Sequence, residues 1–236
     1  MLLCPINRIQ LLQFLPSGGE VAEIGVAEGD FSAAILANAP PRRLHLIDPW
    51  EHQDREDYRP DVSNVAATEQ EARYTAVRAR FAAEIASGGV NLMRDYSEDA
   101  VAFFADGQLD WVYVDGMHTA EAAYRDLTLY YPKLRSGGFL AGHDYTNHAQ
   151  AQAWNFGVVE AVNRFVLERG LRFIALTYEA FPTYVLAADG PMAQALHDTL
   201  VRHVPYVIEL RDFPRAGRFE HRHVTAGSKL LAYPSF

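Results

Sequence analysis

The feature that most constrains the fold is the stretch from Asp110 to Asn147, DWVYVDGMHTAEAAYRDLTLYYPKLRSGGFLAGHDYTN. A short apolar run, Trp111 to Val114, ends on Asp115. Four residues between a turn and a carboxylate suit a buried parallel strand. Gly116 and His118 follow, then a helical stretch with Leu127, Leu129 and Leu134 on its apolar side. Pro132 lies near its end, Gly137–Gly138 stops it, and Phe139 to Ala141 starts a second strand that ends on His143–Asp144. The pattern is strand, helix, strand, with polar groups just past both strand ends. In open α/β sheets, ligands bind outside the carboxyl ends of the strands. Asp115, His118, His143 and Asp144 are therefore expected to face one cleft.

The preceding chain repeats the pattern. Residues 6 to 15 carry Ile6, Ile9, Leu11, Leu12, Phe14 and Leu15 at helical spacing, before Pro16-Ser17-Gly18-Gly19. Arg8 interrupts this apolar opening, which reads as a first helix rather than a leader. Val21 to Ile24 is a short buried strand. Glu23, Gly25 and Gly29 then follow the spacing E-x-G-x-x-x-G, and a helix starts near Asp30. Glycines in such a turn let the backbone approach a ligand closely. The spacing is neither G-x-G-x-x-G nor G-x-x-x-x-G-K-[ST], which weighs against a pyrophosphate cradle and removes a P-loop. Leu44 to Ile47 forms the next strand and ends on Asp48-Pro49-Trp50. An acid at this point holds ribose hydroxyls in doubly wound folds; its plain alternative is a turn aspartate before proline.

Residues 51 to 75 are polar and acidic, and read either as a lid or binding insertion or as a solvated loop. Residues 70 to 87 form an amphipathic helix, Val90 to Met93 a strand, and Glu98 to Phe104 a helix with Ser97 as its N-cap. Tyr96 either stacks on a flat ring or fills a gap under the sheet. Beyond Asn147 come a helix over 155–169 and two strands, Phe173 to Thr177 and Thr183 to Ala187. The link between these strands is short enough to require an antiparallel pair. Residues 191 to 202 are helical; from Arg211 on the chain reads as irregular, with His221, Arg222 and His223 as solvated surface. The expected fold class is α/β: a doubly wound, mostly parallel sheet of about seven strands, with an antiparallel pair at one edge and helices on both faces. The expectation is one domain over 1–236, with its core at about 20–187 and a tail or dimer arm at 203–236.

Composition excludes several partners. A net charge of −9 argues against nucleic acid, which wants a basic face. No uninterrupted apolar run reaches membrane-spanning length, so no membrane partner is expected. The single Cys4 has no His or acid pattern around it and fits a reducing, cytoplasmic setting.

VAEIGVAEGDFS, LIDPW, RDYS and DWVYVDGMH…GGFLAGHDY together resemble a class I S-adenosylmethionine-dependent methyltransferase, with a Rossmann-like sheet. The glycine motif is shared across that superfamily. The pairing of D-G-x-H with G-G-x-L-x-x-H-D-Y is more specific, and is similar to the branch of macrocin-type sugar O-methyltransferases and cephalosporin-hydroxylase-like proteins. The resemblance covers about residues 20 to 187. It implies that Glu23, Gly25 and Gly29 line the methionine and ribose part of the cofactor. Asp48 would hold the ribose, with Trp50 nearby, and Asp95, Tyr96 and Ser97 would surround the adenine. Asp115 would stand at the methyl-transfer centre, next to the cofactor. In metal-dependent relatives the positions of Asp115, His143 and Asp144 bind a divalent cation, usually magnesium, and the position of His118 is the base. His143 departs from the carboxylate those relatives commonly carry. Imidazole suits manganese, iron or zinc better than magnesium, or His143 contacts substrate, or the site holds no metal.

The function expected from this is methyl transfer to a hydroxyl of a small molecule, a sugar or natural product, by a possible homodimer. A hydroxylase-like or repurposed enzyme on the same fold is the alternative, followed by a non-catalytic cofactor-binding protein. A nicotinamide oxidoreductase is more distant, because the glycine fingerprint is wrong.

Overall fold

The computed structural model describes residues 1–226 and 229–236. Its centre is a parallel sheet built from five strands: β2 (Glu20–Ile24), β3 (Arg43–Ile47), β4 (Val90–Met93), β5 (Leu109–Val114) and β6 (Leu134–Gly142). They stand in the order β4-β3-β2-β5-β6, every pairing parallel. The period-2 alternation of these strands feeds two cores. Val21, Trp111, Tyr113 and Phe139 pack on one face with helices α1 (Arg8–Leu12), α2 (Asp30–Asn38) and α3 (Ala67–Arg80). Ala22, Ile24, Val112, Val114 and Leu140 pack on the other with α6 (Ala120–Tyr130) and α8 (Val158–Arg169). Burial on both faces is why these strands read as continuous apolar runs. Among the described residues, no helix is long and apolar enough to cross a membrane.

The sheet is wider than the sequence implied. Past β6 it continues β8 (Tyr184–Ala187), β7 (Arg172–Thr177), β1 (Leu2–Cys4) and β9 (Ile208–Glu209), giving nine strands among the described residues rather than about seven. The antiparallel pair β7–β8 is present, but inside the sheet: β8 lies antiparallel to β6, and β1 runs parallel to β7 on its outer side. A three-residue strand leaves no period to detect, so β1 was read into the first helix. Its neighbour α1 is capped by Asn7 and Gln10, each side chain bonding the other's backbone N–H.

Other boundaries move for local reasons. Gly137 and Gly138 do not stop a helix; they lie within β6, and Leu134 belongs to that strand. α6 has already ended at Tyr130, in a 3₁₀ turn over Tyr131–Lys133 that contains Pro132. Thr119 caps α6, its hydroxyl accepting from the Ala122 N–H. The helix expected over 70–87 is two, α3 and α4 (Ala82–Ser87), broken at Phe81, whose ring packs under Gly29. Ser97 is not an N-cap. Tyr96 holds that position before α5 (Ser97–Ala100), and the Ser97 hydroxyl donates instead to the buried Asp126 carboxylate. A short helix α7 (Ala149–Ala153) precedes α8, and α9 (Pro191–His203) follows β8.

The described residues of the tail are built into the fold rather than irregular. Phe213 and Phe219 enter the second core, and β10 (Glu220–Ala226) pairs antiparallel with β11 (Lys229–Ser235). His221 is buried beside Thr146, its Nδ1 2.7 Å from the Thr146 hydroxyl, so it is not solvated surface; Arg222 and His223 are exposed.

Gly25 leaves β2 at φ +83°, and a Cβ there would stand 1.9 Å from the Asp115 carbonyl oxygen. Gly25→Ala is expected to cost about 2–4 kcal/mol, combining left-handed strain with overpacking. Gly88 has a similar φ of +77° with nothing nearby, so Gly88→Ala should cost only about 1 kcal/mol. Urea unfolding of both variants measures the difference, and equal costs would refute the close-approach argument.

Candidate active site

Four neighbouring strand ends build the site. The backbone ladder runs one residue past each strand: Gly25 N–H donates to Ile47 O, Asp115 N–H to Ile24 O, and His143 N–H to Val114 O, at 2.8–3.0 Å. Asp48, Gly25, Asp115 and His143–Asp144 are thereby aligned along one edge of the sheet, at the carboxyl ends where ligands bind in such folds.

One chamber is a cleft of about 850 Å³ including its open mouth, walled by Gly25, Asp48, Tyr96, Ser97, Asp115 and Asp126. Asp48 Oδ2 accepts from the Val26 and Ala27 N–H groups at 2.9 and 3.0 Å, and Oδ1 accepts from the Trp50 N–H at 2.7 Å. Burial still pushes its carboxyl above the ordinary range, against those three bonds. Tyr96 donates its phenol proton to Glu51 at 3.0 Å, across the mouth. Asp126 projects from α6 into the base of the cleft. Burial raises its carboxyl to about 6, partly offset by the Ser97 hydroxyl.

Four expected cofactor residues stand outside this cleft: Glu23, which lines the second chamber below, and Gly29, Trp50 and Asp95. Gly29 begins α2 against the Phe81 ring. Trp50 is buried, its indole N–H donating to Ala27 O at 2.9 Å. Asp95 bonds the adjacent Tyr96 N–H and, with Trp50, lines a neighbouring groove.

A second chamber meets the first at Gly25, Ala27 and Asp115. It contains Glu23, Arg8, His118, His143 and Asp144, with an aromatic wall of Phe31, Trp154, Phe156 and Phe181. His118 Nε2 lies 3.0 Å from Asp144 Oδ2 and 3.6 Å from Asp115 Oδ1. It is buried, yet no neighbour is aligned to hydrogen-bond it. His143 Nδ1 is 3.4 Å from Asp144 Oδ2 and 3.7 Å from Asp115 Oδ1. Arg8 holds the other Asp115 oxygen at 3.1 Å. Asp144 sits at φ +58°, a conformation a non-glycine residue keeps only when its surroundings enforce it.

Charge organises this cluster. Burial alone would lower both imidazoles. The negative charge of Asp144, with the nearby Asp115 and the hydrogen bond to Asp61, more than reverses that for His118, and the Asp144 and Asp115 charges do so for His143. Burial would raise Asp144, but the two imidazoles hold it well below the usual carboxylate range. Ligand atoms of Asp115, His118 and Asp144 all lie within 4.8 Å of one another. These carboxylates and imidazoles are a donor set able to hold a divalent ion, with softer character than an all-oxygen magnesium site.

Sequence reasoning missed Arg8, Asp61, Asp126 and the aromatic wall. Asp126 left a trace: it is an acid on the buried stripe of α6, with Ala122, Ala123, Leu127 and Tyr130. Asp61 left none beyond the excess length of its segment.

Glu23 is 1% exposed, accepts a hydrogen bond from Ser32, and is raised by burial from 4.5 to about 8. Between those values the folded chain keeps a proton that the unfolded chain has released. Its stabilising contribution is full below the unfolded value and is lost as pH rises toward the folded one. Unfolding free energy should therefore fall less between about pH 5 and about pH 8 in Glu23→Gln than in the wild type. Parallel slopes in urea titrations would mean that Glu23 is ionised in the folded chain.

Comparison with known proteins agrees with this architecture. Residues 22–145, just over half of the chain, match a family described as a methyltransferase domain. An uncharacterized protein of Acanthamoeba polyphaga mimivirus is 25% identical over 150 residues, 62% of this chain and 58% of that protein, so the chain spans less than two thirds of that relative. Three solved structures share the fold. The N-methyltransferase NodS from Bradyrhizobium japonicum WM9 has 13% identity and a TM-score of 0.53, over 77% of this chain and 93% of its own. An O-methyltransferase family protein from Burkholderia thailandensis has 13% identity and a TM-score of 0.52, over 77% and 55%. Spermidine synthase from Thermotoga maritima has 13% identity and a TM-score of 0.51, over 84% and 63%. At such identities these three speak for the fold alone. The family match, however, runs from β2 through the end of β6 and takes in all four strand ends of the site; the chain belongs to this methyltransferase-domain family, whose expected cofactor is S-adenosylmethionine.

Proposed function

We propose that the chain methylates a hydroxyl of a small molecule, a sugar or natural product, and that it stands in the branch resembling macrocin-type O-methyltransferases. The observation that carries this reading is His118 Nε2: buried, without an aligned partner, and beside Asp115 where the two chambers meet. Bound S-adenosylmethionine supplies a methyl on a positively charged sulfur, which leaves with the C–S electron pair when an acceptor oxygen attacks the carbon. A hydroxyl is a poor nucleophile until its proton is removed, and His118 Nε2 is the atom to receive it once a cation held by the neighbouring carboxylates offsets the negative charge that otherwise keeps the imidazole protonated. Gly25 would let the cofactor's chain approach the backbone, Glu23 would face its methionine end, and Asp48 the ribose. Ser97, Tyr96 and Asp126 would hold the adenine, Asp126 rather than Asp95 being placed to accept from its exocyclic amine. A divalent ion held by Asp115, His143 and Asp144 would lower the acceptor's pKa. The aromatic wall of the second chamber suits the flat or apolar face of a ring.

The donor set favours one other reading on this fold. Two imidazoles with carboxylates are also the ligand chemistry of non-haem iron oxygenation, as in a hydroxylase-like enzyme.

An acceptor screen with product masses separates the two, since one adds a methylene and the other an oxygen atom. Run on metal-stripped protein with S-adenosylmethionine, with and without added manganese, and in parallel with ferrous iron, dioxygen and a reductant, it should yield methylated product, and His118→Gln should lower kcat/KM by about 10²- to 10⁴-fold. Oxygenated product, or a His118→Gln variant as active as the wild type, would sink the proposal. Asp126→Ala should weaken S-adenosylhomocysteine binding by about tenfold and erase the preference for adenine over its deaminated analogue, while Asp95→Ala stays near wild type. Calorimetry reads both, and the opposite ranking would return the adenine to Asp95.

A further inference from the structure

Asp61 reaches the His118 ring from the segment between β3 and α3, 57 residues away in sequence. Its Oδ2 lies 2.7 Å from His118 Nδ1, and its other oxygen accepts from the Ser63 N–H at 2.8 Å. The Asp61 side chain is buried with the imidazole. A carboxylate with both oxygens so engaged accepts only, so Nδ1 must carry the hydrogen. Nε2 is then the nitrogen left facing Asp115 and Asp144. A carboxylate partner of this kind fixes the tautomer and the orientation of a histidine ring, alongside its packing.

The segment that delivers Asp61 spans both chambers. Glu51, Gln53 and Tyr58 wall the cofactor cleft, Val62 walls the second chamber, and Ser63 walls both. It is braced internally: the Asn64 side chain accepts from the Gln53 N–H at 3.0 Å and donates to the Gln53 carbonyl at 2.9 Å. It is also tied across the site. Asn155 Nδ2 donates to the Asp57 carbonyl at 2.8 Å, from the loop that sets the Phe156 ring 4.2 Å from the His118 ring.

We propose that Asp61 is a positioning residue for His118, and that the strap carrying it, residues 51–66, links occupancy of the cofactor cleft to the orientation of the His118 ring. The inference rests on His118 being the proton acceptor of the proposed reaction. A ligand that touches the strap from within the cleft holds it closed, and a closed strap holds the ring. By reciprocity, the Asp61–His118 contact strengthens cofactor binding.

The test needs no acceptor. Metal-stripped full-length protein with ¹⁵N-labelled histidine is studied by NMR, with S-adenosylhomocysteine as the probe. A buried imidazole N–H bonded to a carboxylate gives a far-downfield proton that exchanges slowly with solvent. This resonance should be present in the wild type and absent from both His118→Gln and Asp61→Asn. S-adenosylhomocysteine should slow its exchange in the wild type. In Asn155→Gly, which keeps the left-handed backbone but cuts the tie to Asp57, the resonance should persist while the probe's effect on exchange is lost. Calorimetry should show binding about fivefold or more weaker in Asp61→Asn. A resonance that survives in Asp61→Asn, or exchange indifferent to the probe despite measured binding, overturns the proposal. Absence of probe binding to the wild type would instead strike the reading of the cleft itself, so the two failures are distinct.

Discussion

Gly25, Asp115 and His143 each donate their backbone N–H to the neighbouring strand one residue beyond its formal end. The site depends on that register. Side chains alternate with period two along a strand, so a slip of one residue would turn every one of them over. Val21 and Glu23 would exchange faces with Ala22 and Ile24, and Asp115 would leave the edge that it shares with Gly25 and Asp48. The two apolar cores forbid this, because both faces of β2, β5 and β6 are buried and each slip would have to repack both. The fold thus holds the strand ends in line through packing remote from the chemistry, and the tight fit of Gly25 over the Asp115 backbone records how close the alignment is.

The second constraint is electrostatic. Buried carboxylates and imidazoles are costly singly and tolerable only when paired. Asp144 is satisfied by two imidazoles, Asp115 by Arg8 on one oxygen, and His118 by Asp61 on one nitrogen. Each group in the cluster compensates another, leaving His118 Nε2 without an aligned partner. Glu23 escapes the same problem by the opposite route, keeping its proton while Ser32 donates to it. The site thus combines charged, paired groups with a neutral carboxyl a short distance away.

Much of this was legible in the sequence because the parallel core writes itself locally. Short apolar runs ending in Glu23–Gly25, Asp48, Asp115 and His143–Asp144 announce both the strands and the polar edge. The remainder was hidden for physical reasons. β1 is too short to show a period, and its pairing with β7 is a long-range choice with no local signature. Gly137 and Gly138 look like helix stops, yet Gly138 serves the close approach of β6 to the Asp110 carbonyl. Ser97 looks like a cap, but a buried carboxylate on α6 claims its hydroxyl. Asp61 sits in a polar, acidic stretch where nothing singles it out. The tail's Phe213 and Phe219 gave no periodic pattern, since they are isolated aromatics, one in a turn and the other just ahead of β10.

The placement of β1 bears on how the chain assembles. Leu2 pairs with Ala175 and Cys4 with Thr177, so the first strand of the sequence waits for one of the last. The parallel centre, β2 to β6, pairs within itself, without β7, and can condense before that. Closing so long a loop is entropically expensive and slow compared with local pairing. During that interval Leu2, Leu3 and Cys4, all buried in the finished molecule, remain an unpaired apolar edge. An exposed edge of this kind is where newly made chains stick to one another or are held by chaperones.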